Sequence, residues 1–192
     1  MGFIAQINLA QFPMTAVHPS YPATGIIHLF YPCDEDVLFS DEFLLETYPE
    51  DQNAVLYTSD CSNLTRIEAD PAVLTFSSCE VKIRFENTIP DMMRIEEDQL
   101  FEDDKDAYVR YLKFCSSYSE LTDSSIGFRF LGYLDGLQYG SQEVGTELLF
   151  QADSNEEIGM KWDLAGLLYF YISREDLLNR SFDAVYTDRV GT

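Results

Sequence analysis

Apolar residues along this chain fall into short runs closed by polar ones, the pattern of strands rather than of long helices. Phe3-Ile4-Ala5-Gln6-Ile7-Asn8 is one such run, and Leu149-Phe150-Gln151-Ala152-Asp153 repeats it when Gln6 is set on Gln151 and Asn8 on Asp153. Gly25 then opens Ile26-Ile27-His28-Leu29-Phe30-Tyr31 and Gly166 opens Leu167-Leu168-Tyr169-Phe170-Tyr171, the two glycines standing 19 and 15 residues beyond their glutamines. A third run follows in each, Ala54-Val55-Leu56-Tyr57-Thr58 and Ala184-Val185-Tyr186-Thr187. Three matches in one order predict an internal repeat, each copy an antiparallel β-meander whose turns are supplied by Asp, Asn and Pro.

Between the copies, Val73-Leu74-Thr75-Phe76 and Val81-Lys82-Ile83-Arg84-Phe85 read as strands that extend the sheet, the second alternating as a half-solvated strand should. From about Glu102 to Leu121, Tyr108, Tyr111, Leu112, Cys115 and Tyr118 form one stripe on a helix whose first turn is acidic, which suits the helix dipole. A second, short helix is expected from Ser173 to Asn179, with Ser173 as its N-cap and Asp176 three residues on. The expected fold is α+β and mostly β: two repeated antiparallel meanders sharing one core, one longer helix between them, and short helices. One domain is expected over residues 1–192, with the first copy at about 3–60, connecting strands and helix at about 70–122, and the second copy at about 128–188.

Composition changes this picture in one respect. With 46% hydrophobic and 14% aromatic residues the chain folds, yet 34 acidic against 12 basic residues give it a net charge of -22. Such a field repels phosphate, so nucleic acid and anionic membranes are poor partners and a basic protein is the easier one. Cys33, Cys61, Cys79 and Cys115 are too far apart for a Cys-x-x-Cys pair and read as buried thiols. The N-terminal residues read as a strand rather than a signal peptide, and the longest apolar run, Leu164 to Ile172, has nine residues, about half of a bilayer span. A cytoplasmic location is expected.

The chemistry-bearing residues form no catalytic motif. His18 and His28 are the only histidines, and neither follows a nucleophile elbow. Carboxylates are plentiful in Asp34-Glu35-Asp36, Glu96-Glu97-Asp98 and Glu102-Asp103-Asp104, but no pair stands out for acid–base work. Asp153 to Gly159 is closer to an acidic hairpin turn than to a calcium loop, because its glycine comes seventh and Leu164 stands where the bidentate Glu belongs. Gly132, Gly136, Gly140 and Gly145 lack the Gly-Lys-Ser/Thr ending of a phosphate loop, and no cofactor or metal is implied.

The set to watch is Gln138, Gln151, Asp153 and Trp162, with Gln6 and Asp163 as further candidate binding residues. Amides and an acid beside an indole can floor a ligand pocket. The competing reading is internal hydrogen bonding that satisfies strand ends and turns. On balance the sequence favours a non-enzymatic interaction module for a basic partner; the alternative is a small-molecule-binding protein or enzyme using that polar set.

Phe130-Leu131-Gly132-Tyr133 through Gln138, Leu148 to Asp153, Trp162 to Gly166 and Arg174-Glu175-Asp176-Leu177 together resemble the YwqG-like family of domains of unknown function. Ala5-Gln6-Ile7-Asn8 with Gly25-Ile26-Ile27 resembles its first half. The resemblance covers most of the chain, most closely residues 128 to 188, and implies a fold rather than a reaction; some members look like immunity or antitoxin-type proteins. Two departures stand out. Trp162-Asp163-Leu164-Ala165-Gly166 carries its acid one place earlier than the family's Trp-Gly-Asp-Ala-Gly, and Met1 lies almost directly in the first strand where members carry a Gly-Gly-Tyr-Pro stretch. The second copy keeps the counterpart of that stretch, Gly132-Tyr133, so the resemblance implies an exposed strand edge in the first.

Overall fold

A computed structural model describes residues 1–12, 21–33, 54–68, 70, 73, 75–90, 92–97, 99–121, 127–136, 142, 145–162 and 165–191. The fold is α+β and mostly β. Strands β1 (Gly2–Asn8), β2 (Ile26–Tyr31) and β3 (Ala54–Thr58) form a first antiparallel sheet in the order β1-β2-β3. Helices α1 (Met92–Glu97) and α2 (Lys105–Leu121) follow. Strands β4 (Arg129–Phe130), β5 (Thr146–Asp153), β6 (Leu167–Ser173) and β7 (Tyr186–Val190) form a second antiparallel sheet in the order β4-β5-β6-β7. Helix α3 (Arg174–Asn179) joins β6 to β7.

The two sheets meet through one hydrophobic cluster. Ile4, Ile7, Ile27, Leu29 and Val55 from the first lie with Leu149, Phe150, Ala152, Leu168, Phe170 and Ile172 from the second. Alternation places these residues on the inner faces, so each sheet's other face must be covered by something else or remain in water.

Pairing registers of the two sheets coincide. Gln6 pairs with His28 and His28 with Leu56; Gln151 pairs with Tyr169 and Tyr169 with Asp188. Phe3–Phe30–Ala54 and Leu148–Tyr171–Tyr186 are the corresponding rows two residues along β2 and β6. Each first strand carries a register shift two residues before its glutamine, between Phe3 and Ala5 and between Leu148 and Phe150. A bulge at the same place in both strands turns the same side chains toward the same faces.

Gly25 and Gly166 also play one part. A Cβ on Gly25 would lie 2.8 Å from the carbonyl oxygen of Thr58, and one on Gly166 would lie 2.6 Å from that of Val190 and 2.2 Å from that of Trp162. Thr58 and Val190 pair with Ile26 and Leu167, so both glycines pass beneath the end of the third strand, where only a missing side chain leaves room.

Several expectations are corrected. The third strand of the second unit is Tyr186–Val190, not 184–187, because Phe182–Ala184 forms a 3-10 turn and buries Phe182 beneath it. Val73, Thr75, Phe76 and Val81 to Phe85 lie outside the strands, and Leu74 lies outside the described residues. Val81, Ile83 and Phe85 are exposed, as are Lys82 and Arg84 between them, so neither side of the alternation is buried and no ladder pairs this segment among the described residues. Side chains fasten this segment instead: Phe85 meets Phe12 edge-on, the Tyr118 hydroxyl donates to the Asn87 carbonyl, and the Tyr133 N–H donates to Thr88 Oγ1.

Helix α2 begins at Lys105 because the Asp104 carboxylate caps it, accepting from the Ala107 N–H at 2.9 Å. Its tyrosine stripe faces the preceding segment, Tyr111 donating to the Pro90 carbonyl and Tyr108 to Glu96. Helix α3 starts as its sequence implies, with Ser173 Oγ accepting from the Asp176 N–H at 3.0 Å. Of the four cysteines only Cys33 is buried; Cys61 and Cys79 are exposed and Cys115 is intermediate.

Candidate functional site

Gln151 is the centre of the most developed polar cluster among the described residues. It lies on β5, turned away from the core between the sheets, and is fully buried. Residues 127–135 bury it. Arg129 and Phe130 pair with Gln151 and Phe150 along the β5 edge, and Leu131 and Gly132, at φ of 65° and 84°, then turn the chain back over the sheet. Leu134 lands on a second apolar cluster made by Leu148, Leu167, Tyr169 and Tyr171.

The returning chain is pinned by the Gln151 amide. Its Nε2 donates to the Gly127 carbonyl at 2.8 Å and to Asp135 Oδ2 at 2.9 Å, while its Oε1 accepts from the Asp135 N–H at 2.9 Å. Both donor hydrogens are thereby used and the oxygen is engaged. Arg129 closes the arrangement, donating to Asp135 Oδ1 at 2.7 Å and to the Tyr133 carbonyl at 2.9 Å. The Tyr169 hydroxyl donates to the Asp135 carbonyl at 2.7 Å. This is a structural clamp, satisfied within the chain.

Asp153 lies two residues further along the same face of β5. Partial burial raises its carboxyl above the ordinary value, and the charge of Asp135 adds to the rise, while the Ser154 N–H opposes it. Trp162 belongs elsewhere. Its ring is fully buried in the core between the sheets, 5.8 Å from Tyr31 and 5.9 Å from Phe76, both near edge-on. Among the described residues its Nε1 has no acceptor. Gln151 and Trp162 therefore face opposite sides of the second sheet and do not line one pocket. Gln138 and Asp163 lie outside the described residues.

The loop that follows Asp153 closes as a hairpin. Asn155 and Met160 exchange backbone hydrogen bonds, and Asn155 Oδ1 accepts from the Glu157 and Ile158 N–H groups. Its acidic side chains thus project from a turn built on an Asn and on Gly159, whose φ is 78°.

Gln6 holds the register of Gln151 in the first sheet and is exposed. Its neighbours on that face are open as well. Phe3 is 47% and Leu56 55% exposed, with half-buried His28 and Phe30 between them. Phe3 rests edge-on against Phe30 at 5.7 Å. The β1–β3 strands carry no Lys, Arg, Asp or Glu, so this face is an uncharged, partly apolar surface on a strongly acidic molecule.

Asp135 and Arg129 are not singled out by the sequence because neither belongs to a catalytic or metal-ligating pattern. The available signal is two opposite charges within the otherwise apolar Phe128-Arg129-Phe130-Leu131-Gly132-Tyr133-Leu134-Asp135, where burial demands pairing.

Among the described residues no helix is long and apolar enough to cross a membrane, and no group of three His, Cys, Asp or Glu side chains could hold a metal ion. Residues 1–188 match the profile of a domain of unknown function, DUF1963. No curated protein matches the chain.

Proposed function

Since the chain belongs to the DUF1963 family of domains of unknown function, we propose that it is a non-enzymatic interaction module that binds a basic protein partner. The observation that carries this reading is the open, uncharged face around Gln6 on a chain of net charge -22. The charge draws a cationic partner from a distance and the apolar face supplies contact once it arrives. Within the family, Gly132-Tyr133 and the Trp162 to Gly166 segment favour the YwqG-like branch. The chain is then one domain of two related meanders, and the matching registers and bulges support that division. An immunity-type role in the cytoplasm, covering the basic working surface of a toxin, is the specific form of this reading.

The pocket reading draws less support, because the Gln151 amide is engaged internally and Trp162 faces the other side of its sheet. The test is affinity capture from the native host at graded salt, with any captured protein then purified and recombined with the chain. A specific basic partner whose binding weakens as salt screens the charges is the expected result. Recovery of no specific partner at low salt overturns the reading.

A further inference from the structure

The second sheet shows what a cover for such a face looks like, and the first sheet holds only half of one. Phe130 packs on the core side, 6.1 Å from Tyr21. Tyr21 and Trp162 each lie four residues before the glycine that opens the middle strand, and Phe76 meets Trp162 at 5.9 Å. The core side of the cover therefore has a counterpart in both sheets. The outer side does not: residues 131–135 seal Gln151, Leu148, Tyr169 and Tyr171, while Gln6, Phe3, His28 and Phe30 at the same registers have no such segment over them among the described residues.

We propose that the outer face of the first sheet docks an extended segment of a partner protein, apolar at its centre and basic at its flanks, which lies over Gln6 as residues 131–135 lie over Gln151. This deepens the interaction reading and rests on it. The Gln6 amide supplies what the Gln151 amide supplies, an acceptor for one backbone N–H and donors for a carbonyl or carboxylate. An apolar side chain of the segment takes the place of Leu134, against Phe3, His28 and Phe30, with exposed Leu56 beside His28 at the edge of the contact. The face itself offers no charge that would have to be stripped of water, and positive residues flanking the segment are drawn by the net charge of -22. That charge also argues against a second copy of this chain as the occupant, because two such molecules repel.

The probe is a labelled peptide with the sequence of residues 127–136, a segment already shaped for the equivalent register of the second sheet, extended by two lysines. Binding to the intact chain is followed by fluorescence anisotropy and mapped by NMR shifts of the Gln6 side-chain amide. Saturable binding below about 1 mM is expected, the range for a few new contacts. Gln6→Ala and Leu56→Ala, both at exposed positions, are each expected to weaken it by about threefold to tenfold, the worth of one or two contacts. Absence of binding, shifts confined to the second sheet, binding of both variants as tight as that of the unmodified chain, or concentration-dependent self-association through this face overturns the inference. The two proposals fail differently. A captured native partner that binds Gln6→Ala and Leu56→Ala as well as the unmodified chain removes this face and leaves the interaction reading, whereas capture of nothing removes the interaction reading itself.

Discussion

Gln6 and Gln151 stand at the same register position of two sheets, yet Gln6 is exposed while Gln151 is fully buried and clamped by Asp135. The difference comes from the chain laid over them and not from the strands that carry them.

The first expected consequence concerns stability. Gln151→Ala takes away the partner of the Asp135 N–H, of Asp135 Oδ2 and of the Gly127 carbonyl, leaving the carboxylate to Arg129 alone, and should cost about 2–3 kcal/mol, whereas Gln6→Ala should fall within about 0.5 kcal/mol of the unmodified chain. Trp162 is the only tryptophan and is fully buried, so urea unfolding followed by its fluorescence reports both variants directly. Equal destabilisation by the two substitutions would contradict the assignment.

Glycine positions should differ as sharply. Gly166→Ala drives a Cβ to within 2.2 Å of the Trp162 carbonyl oxygen, and overpacking against backbone costs about 2–3 kcal/mol. Gly159→Ala meets open space and carries only the cost of a left-handed φ, about 1–2 kcal/mol. The order of the two midpoints in urea checks the close approach.

Asp153 predicts a pH response of definite sign. Its folded pKa is raised, mainly by burial, above the ordinary 3.8, so the folded chain holds that proton more tightly than the unfolded one. Its contribution is a penalty that is complete above the folded pKa, shrinks as pH falls through that value and is gone below 3.8. Asp153→Asn should therefore be somewhat more stable than the unmodified chain at neutral pH and lose that advantage in acid. A constant difference across the titration would show that the carboxyl is not responsible.

Thiol reactivity separates the cysteines. Burial pushes the Cys33 thiol up to about 11, opposed in part by the Gly2 backbone and the N-terminal charge, while Cys61 and Cys79 are exposed. Alkylation at neutral pH, mapped by mass spectrometry, should modify Cys61 and Cys79 first and reach Cys33 only after unfolding.

Much of the fold was legible in these residues. The glutamine and glycine anchors can be read because period-two alternation fixes which way Gln6 and Gln151 point, and because a glycine under a strand end tolerates no substitute. The apolar run at 184–187 begins two residues before the last strand, since Phe182 and Val185 are apolar for the sake of a buried turn and resemble the strand that follows. Val81 to Phe85 alternates like a strand, but alternation reports two unlike faces and says nothing about a free edge to join. The polar set was the least legible part. Gln6 and Gln151 look alike in sequence, and what separates them is a cover formed by residues 127–135, about twenty positions before the residue it seals. Asp135, which completes the clamp, carries no signal of its own beyond being a charge in an apolar run.

The central claim is that the open face of the first sheet is where this acidic domain meets its partner. Hydroxyl-radical footprinting of the chain alone and with a captured partner tests it most directly. Alone, Phe3 and Leu56 should be oxidised readily while Leu148 and Tyr171 are spared; with the partner bound, Phe3 and Leu56 should become protected. Unchanged oxidation at Phe3 and Leu56, with protection appearing instead at Val109 and Phe114 on α2, would contradict it.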